Sequence, residues 1–199
     1  MRPDLPIRTE RLLLRPYRDT DIDDLHAWQS RADVTRYVPF APRDRRAVAA
    51  QIRRKLTATQ LAADGDTLEL AVTLPDGAYV GEVLLFYRSA EHRGFELGYI
   101  VHPDHTGNGY GTEAARAVLR LAFESFDAHR VYARLDARND PSARLLERLG
   151  MRREAHLVSD EFVKGEWTDT LVYAMLENEW AAGATAPPVN ERSRPSDRE

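Results

Sequence analysis

Residues 101–114 read VHPDHTGNGYGTEA, and this stretch decides the fold. Before it, Gly94 to Val101 (GFELGYIV) has the short apolar run of a strand. After it, Ala115, Val118, Leu119, Ala122, Phe123 and Phe126 recur at helical spacing, with Arg116, Arg120 and Glu124 on the opposite side. The spacing predicts a helix from about Thr112. Between the two elements stand Gly107, Gly109 and Gly111. Glycine admits positive φ and lets the backbone come close to a ligand. The first amides of a helix have no internal partners and carry roughly half a positive charge. Together they make an anion site suited to a pyrophosphate. The plainer reading is a tight turn whose glycines serve packing alone. A Walker P-loop does not fit, because no Gly-Lys-Ser/Thr follows. A dinucleotide fold fits poorly, because such a loop belongs to the first βα unit of a parallel sheet.

Working outward, the segment before the loop alternates with period two. Leu68, Leu70, Val72 and Leu74 share one face of a strand, and Pro75-Asp76-Gly77 marks a turn. Tyr79 to Tyr87 returns as a second strand, so residues 68–101 form an antiparallel meander. On the other side, Val131 to Ala137 alternates as a strand, which should run parallel to Gly94–Val101 across the intervening helix. Asp140 is the expected N-cap of the next helix, Pro141 its first residue and Gly150 its stop. Two strands close the pattern, about Met151 to Val163 and Glu166 to Glu177, joined at Lys164-Gly165. At the front, Leu12 to Tyr17 reads as a strand, and Thr20 to Arg31 and Arg43 to Ala63 read as helices. The order is that of a mixed α/β layer protein.

Composition narrows the function. The chain has 199 residues, with 28 Lys+Arg against 32 Asp+Glu, a net charge of −4. That suits one domain with a real core and disfavours a dedicated nucleic-acid binder. There is no cysteine, hence no thiol nucleophile and no thiolate metal site. The six histidines show no metal-ligand spacing. No apolar run reaches transmembrane length and the N-terminus lacks a signal-peptide pattern, which points to the cytoplasm. Residues 1–180 read as one domain and residues 181–199 as a disordered tail, rich in proline and charge. The excess of arginine over lysine reads as coding bias. The basic run from Arg43 to Lys55 reads as a solvated face, or as a partner for an acidic phosphate or substrate.

Four segments carry a resemblance that spans nearly all of residues 7–180: TERLLLRPYRDTD, FELGYIV followed by NGYGTEA, NDPSARLLERLGM, and GEWTDTLVYAML. The sequence resembles the GNAT superfamily of acyl-CoA N-acyltransferases, and within it the RimJ/RimL-like branch. The resemblance implies a mostly antiparallel sheet of about seven strands, splayed at its parallel pair and flanked by about four helices. It implies acetyl-CoA as cofactor and a protein N-terminal amine or small-molecule amine as acceptor, with no nucleic acid, membrane or metal partner, in a monomer or homodimer. The backbone of Ile100 and Val101 would pair with the pantetheine arm, with His102 at the end of that strand. Thr106, Gly107, Asn108, Gly109, Tyr110, Gly111 and Thr112 would form the phosphate loop, with Thr106 where the family has Gln or Arg. Asn139 and Ser142 would face the pantetheine and its sulfur.

Acetyl transfer needs a neutral amine, a donor for the developing oxyanion and an exit for the thiolate. Reference amines titrate near ~8 at an N-terminus and ~10.4 at a lysine, and a positioned base contributes about 10²–10⁴-fold. Without a cysteine, direct transfer in a ternary complex is the simpler route. Glu161 and Glu96 are the candidate bases, each with an ordinary surface role as the alternative. Ser142 is the candidate donor to the sulfur, because it lies in the first turn of the helix after Asp140, where the dipole favours negative charge; a plain helix-start serine is the alternative. The positions where relatives carry a tyrosine acid hold Leu145, Leu146 and Arg148. Trp28 and Tyr37 could line the acceptor side or belong to the core. A non-catalytic acyl-CoA sensor of the same fold is the competing function.

Overall fold

Apolar alternation in eight segments builds one sheet, and the computed structural model describes residues 1–185. The strands are β1 (Ile7–Arg8), β2 (Leu13–Arg15), β3 (Thr67–Thr73), β4 (Tyr79–Ser89), β5 (Gly94–Val101), β6 (Arg130–Asp136), β7 (Arg152–Val163) and β8 (Glu166–Leu176). The helices are α1 (Ile22–Gln29), α2 (Arg45–Lys55), α3 (Tyr110–Arg120), α4 (Asp140–Arg148) and α5 (Glu177–Thr185). The sheet order is β1-β2-β3-β4-β5-β6-β8-β7, and only β5 and β6 run parallel. The meander, the parallel pair and the Lys164-Gly165 hairpin match the sequence reading. Both hairpin residues adopt positive φ, 53° and 91°.

The differences have local causes. The sheet gains a strand because Ile7–Arg8 folds back on Leu13–Leu14. The second helix stops at Lys55 rather than Ala63. The chain is drawn off to the sheet there, where the Glu69 amide bonds the Ala58 carbonyl at 2.9 Å. Asn139, not Asp140, caps α4, its side chain accepting from the Ser142 amide at 3.2 Å. Residues 181–185 continue α5, which is anchored by Trp180 stacked on Phe123 at 5.6 Å between centroids. Residues 186–199 lie outside the described residues.

Two cores face the sheet from opposite sides. One packs α3 and α4 through Ala115, Val118, Leu119 and Leu146 against Val83, Leu85, Phe95 and Leu97. The other packs α1 and α2 through Leu25, Trp28, Val48 and Ile52. The parallel pairing covers only Gly94–Glu96 against Arg130–Tyr132. Beyond that point β5 and β6 part, and the gap between them is the cleft of interest. Glycine is needed at two close approaches beside it. A Cβ at Gly81 would lie 2.2 Å from the Ile100 carbonyl oxygen. One at Gly111 would lie 2.8 Å from Val101 Cγ2 and 2.9 Å from Leu145 Cδ1.

Candidate active site

The loop after β5 is fixed from within. The His102 amide bonds the Val80 carbonyl at 2.7 Å, and its Nδ1 accepts from the Asp104 amide at 3.2 Å. Burial pushes the His102 imidazole below its ordinary range, so it is neutral near pH 7. The Thr106 hydroxyl is spent on the Pro103 carbonyl at 2.8 Å, and Asn108 Nδ2 turns back to His105 and Thr106. These three side chains shape the loop rather than reach out of it. Gly107 and Gly109 take φ of +81° and +79°, and Gly109 is the residue before the first turn of α3. Among the described residues, no protein acceptor meets the amides of Gly107 to Thr112. Free amides and the helix dipole converge there, as an anion requires.

One cation at this loop was not legible as a site residue. Arg11 lies over the Tyr110 ring at 4.9 Å, donates to the Asn108 carbonyl at 3.0 Å and pairs with Glu113 at 2.7 Å. The Thr9 hydroxyl also donates to Glu113, at 2.6 Å. Burial opposes the Glu113 charge, but the hydrogen bonds from Thr9 and Arg11 outweigh it and hold the carboxyl below its usual range. Residues 9–11 thus clamp the loop and the first turn of α3. The TER signal was visible, but its partner lies about a hundred residues away.

Where β5 and β6 part there is a cavity of about 360 Å³. Leu97 to Ile100, Ala133 to Leu135, Asn139, Ser142 and Leu146 form its walls, and residues 37–40 form its roof. The Tyr99 hydroxyl stands 2.7 Å from Ser142 Oγ. Burial pushes the Tyr99 phenol up to about 12. Tyr37, Ile100, Asn139 and Ser142 therefore line one cavity. Trp28 is not among them: it is fully buried in the core beside α2, which corrects its placement on the acceptor wall.

The floor holds a carboxylate that the sequence did not single out. Glu82 on β4 is 4% exposed; its Oε2 accepts from Lys55 Nζ at 2.6 Å and from the Tyr17 hydroxyl at 2.5 Å. Lys55 also pairs with Glu69 at 2.5 Å. Burial disfavours the Lys55 charge, yet Glu82 and Glu69 outweigh it and raise its pKa. Burial and the Glu82 charge push Tyr17 well above its ordinary value. Among the described residues, Glu82 Oε1 has no hydrogen-bond partner. The two carboxylates named from sequence lie elsewhere. Glu96 is held by Arg88 at 2.6 Å and is absent from the cavity wall. Glu161 is half-exposed and paired with Arg134 at 2.9 Å. It lines a smaller groove of about 50 Å³, between the β7–β8 hairpin and residues 36–39.

Residues 11–152 match the family model of the acetyltransferase (GNAT) domain. The chain belongs to the GNAT acetyltransferase family. An uncharacterized N-acetyltransferase of Bacillus subtilis, YnaD, is 31% identical over 87% of this chain and 98% of its own length. A GNAT-family acetyltransferase structure from Bacillus anthracis superposes with a TM-score of 0.77 at 29% identity, over 87% of this chain and 99% of that one. The spermidine N(1)-acetyltransferase of Escherichia coli is 23% identical over 87% of this chain and 90% of its own length. As a GNAT N-acetyltransferase, the chain transfers an acetyl group from acetyl-CoA to an amine. The cleft fits that cofactor on its own terms: free amides for a pyrophosphate, and an unpaired β5 edge from Leu97 to Val101 for an extended arm. Among the described residues no cluster could hold a metal ion, and no helix is long and apolar enough to cross a membrane.

Proposed function

We propose that the acceptor is a small amine carrying positive charge, and that Glu82 receives it and takes its proton. The uncommitted oxygen of Glu82 carries this reading. Glu69 and Glu82 face one ammonium, Lys55, and the other cation on the lining, Arg134, is itself paired with Asp160 and Glu161, so these groups together carry negative charge in excess. A protonated amine entering the cleft meets that charge. It must then lose a proton before it can attack, and Glu82 would take it directly or through one water. Residues 37–40 line the cavity, and Lys164 from the β7–β8 hairpin bonds the Thr35 and Arg36 carbonyls just before them. The name of the Escherichia coli relative supports the same class of acceptor. The RimJ/RimL-like features leave a protein N-terminus as the competing acceptor.

Acetyl-CoA supplies the acyl group as an activated thioester. Amides of Gly107 to Thr112 would hold its pyrophosphate, with Arg11 beside them. The backbone of Ile100 and Val101 would hold the pantetheine arm, and an amide of that strand would meet the developing oxyanion. Ser142 would donate to the sulfur. The test is thiol release from acetyl-CoA with polyamines, aminoglycosides, lysine peptides and N-terminal peptides in parallel. Turnover with small cationic amines and none with peptides is expected. Peptide turnover at an equal or higher kcat/KM overturns the acceptor assignment.

A further inference from the structure

Tyr99 projects into the gap from a strand, not from the helix where a tyrosine was sought. Its hydroxyl lies 2.7 Å from Ser142 Oγ and 3.2 Å from the Ser142 carbonyl oxygen. The Ser142 amide is itself fixed by Asn139 Oδ1 at 3.2 Å. Both Tyr99 and Ser142 line the cavity. Each hydroxyl has one proton to give. If Ser142 donated to Tyr99, it would have no proton left for a ligand. If Tyr99 donates to Ser142 Oγ, along the shorter of its two contacts, the serine proton is free to turn into the cavity. Tyr99 keeps its proton throughout the neutral range, because burial raises its pKa to about 12.

We propose that Tyr99 is a positioning residue for acetyl transfer: it donates to Ser142 Oγ and so aims the serine hydroxyl at the sulfur of bound CoA. This rests on the reading of Ser142 as the sulfur's donor. A serine proton held in that direction counts most when the sulfur carries negative charge, because hydrogen bonds to charged acceptors are the stronger class. An aromatic ring without a hydroxyl would fill the same space, and Ser142 would then be free to point elsewhere.

The test compares affinities for CoA and desulfo-CoA, measured by calorimetry at pH 9, where part of the thiol is ionised. The proteins are the full chain, Tyr99→Phe, Ser142→Ala and the double variant. The unsubstituted protein should prefer CoA, and Ser142→Ala should lose roughly three- to tenfold of that preference, the range of one hydrogen bond. Tyr99→Phe should lose a similar share while binding desulfo-CoA normally, and the double variant should lose no more than Ser142→Ala. In steady state, Tyr99→Phe should lower kcat and leave KM for acetyl-CoA unchanged. A Tyr99→Phe protein that keeps the full preference, or that weakens both ligands equally, overturns the role of Tyr99 alone. No preference in the unsubstituted protein overturns the Ser142 reading and this one with it. Failure to bind either ligand overturns the cofactor site itself.

Discussion

Gly111→Ala tests whether the phosphate loop depends on close packing or only on glycine's freedom of φ. Gly111 lies in the first turn of α3, outside the positive-φ residues, so its backbone would accept alanine. Space is the obstacle. The new methyl would stand 2.8 Å from Val101 Cγ2 and 2.9 Å from Leu145 Cδ1, where carbon pairs prefer about 3.5–4.0 Å. The two atoms belong to β5 and α4, so no single rotamer change relieves both. Overpacking of this kind costs about 1–3 kcal/mol, and alanine's helix preference returns up to about 1 kcal/mol. A net loss near 1–2 kcal/mol should lower Tm by roughly 2–8 °C in a domain of this size. The first turn of α3 must also move off Val101, which should weaken CoA binding about tenfold or more, or ~1.4 kcal/mol. Leu145→Ala added to Gly111→Ala should cost less than the sum of the two, because it removes one of the clashing atoms. Gly107→Ala is the contrast, since its Cβ would meet nothing within 4 Å and only the φ of +81° opposes it. Thermal melts and calorimetry read both quantities. A Gly111→Ala protein with raised Tm and unchanged CoA affinity would refute the packing account.

Glu82→Gln should lower kcat by about 10²–10⁴-fold with CoA affinity unchanged, whereas Glu161→Gln and Glu96→Gln should stay within severalfold of the unsubstituted protein; steady-state rates on one acceptor decide between them. Lys55→Met should cost about 3–5 kcal/mol in denaturant unfolding, because it strands Glu82 in the floor, and Lys55→Arg should not restore the lost stability. Arg11→Ala should weaken CoA severalfold, with a shallower salt dependence than the unsubstituted protein, as read by titration at several ionic strengths. Stability should fall as pH rises above about 10. Lys55 and Tyr17 have folded pKa values raised above their unfolded ones, so their contribution is full below that range and lost as pH climbs through it. A melting temperature flat from pH 9 to 11.5 would contradict this.

The framework was legible because it is written in local signals. The GFELGYIV run, the glycines after it and the apolar spacing of α3 each act over a few residues, and the structure puts β5 and α3 where they point. The site was legible only in part. Ser142 and Asn139 were named through the family resemblance of the NDPS segment, and both line the cavity, although the cap itself fell one residue earlier than Asp140. Glu82 was missed because a glutamate within YVGEVLLFY reads as the solvent side of an alternating strand. What buries it is Lys55, which arrives from α2 across 27 positions of sequence. Glu96 and Glu161 looked as well placed as any carboxylate on their strands. Their arginine partners, Arg88 and Arg134, depend on register between strands that the sequence does not spell out. Trp28 sits on the apolar spacing of α1, and that spacing serves a core residue and a site residue equally well.

The lysines make the same point from composition. The chain has 28 basic residues, of which only Lys55 and Lys164 are lysine. Read as coding bias, the arginine excess says nothing about function. The structure gives the two exceptions a common chemistry. Lys55 places one compact ammonium between Glu69 and Glu82 with 2% of its side chain exposed, where a planar guanidinium would need a wider space. Lys164 aims a single nitrogen at the Thr35 and Arg36 carbonyls, at the edge of the roof. Lys55 thus lines the cavity between two carboxylates, and Lys164 ties the segment just before residues 37–40. In a chain that uses arginine almost everywhere else, the buried position between Glu69 and Glu82 keeps lysine, where a point charge fits and a fork does not.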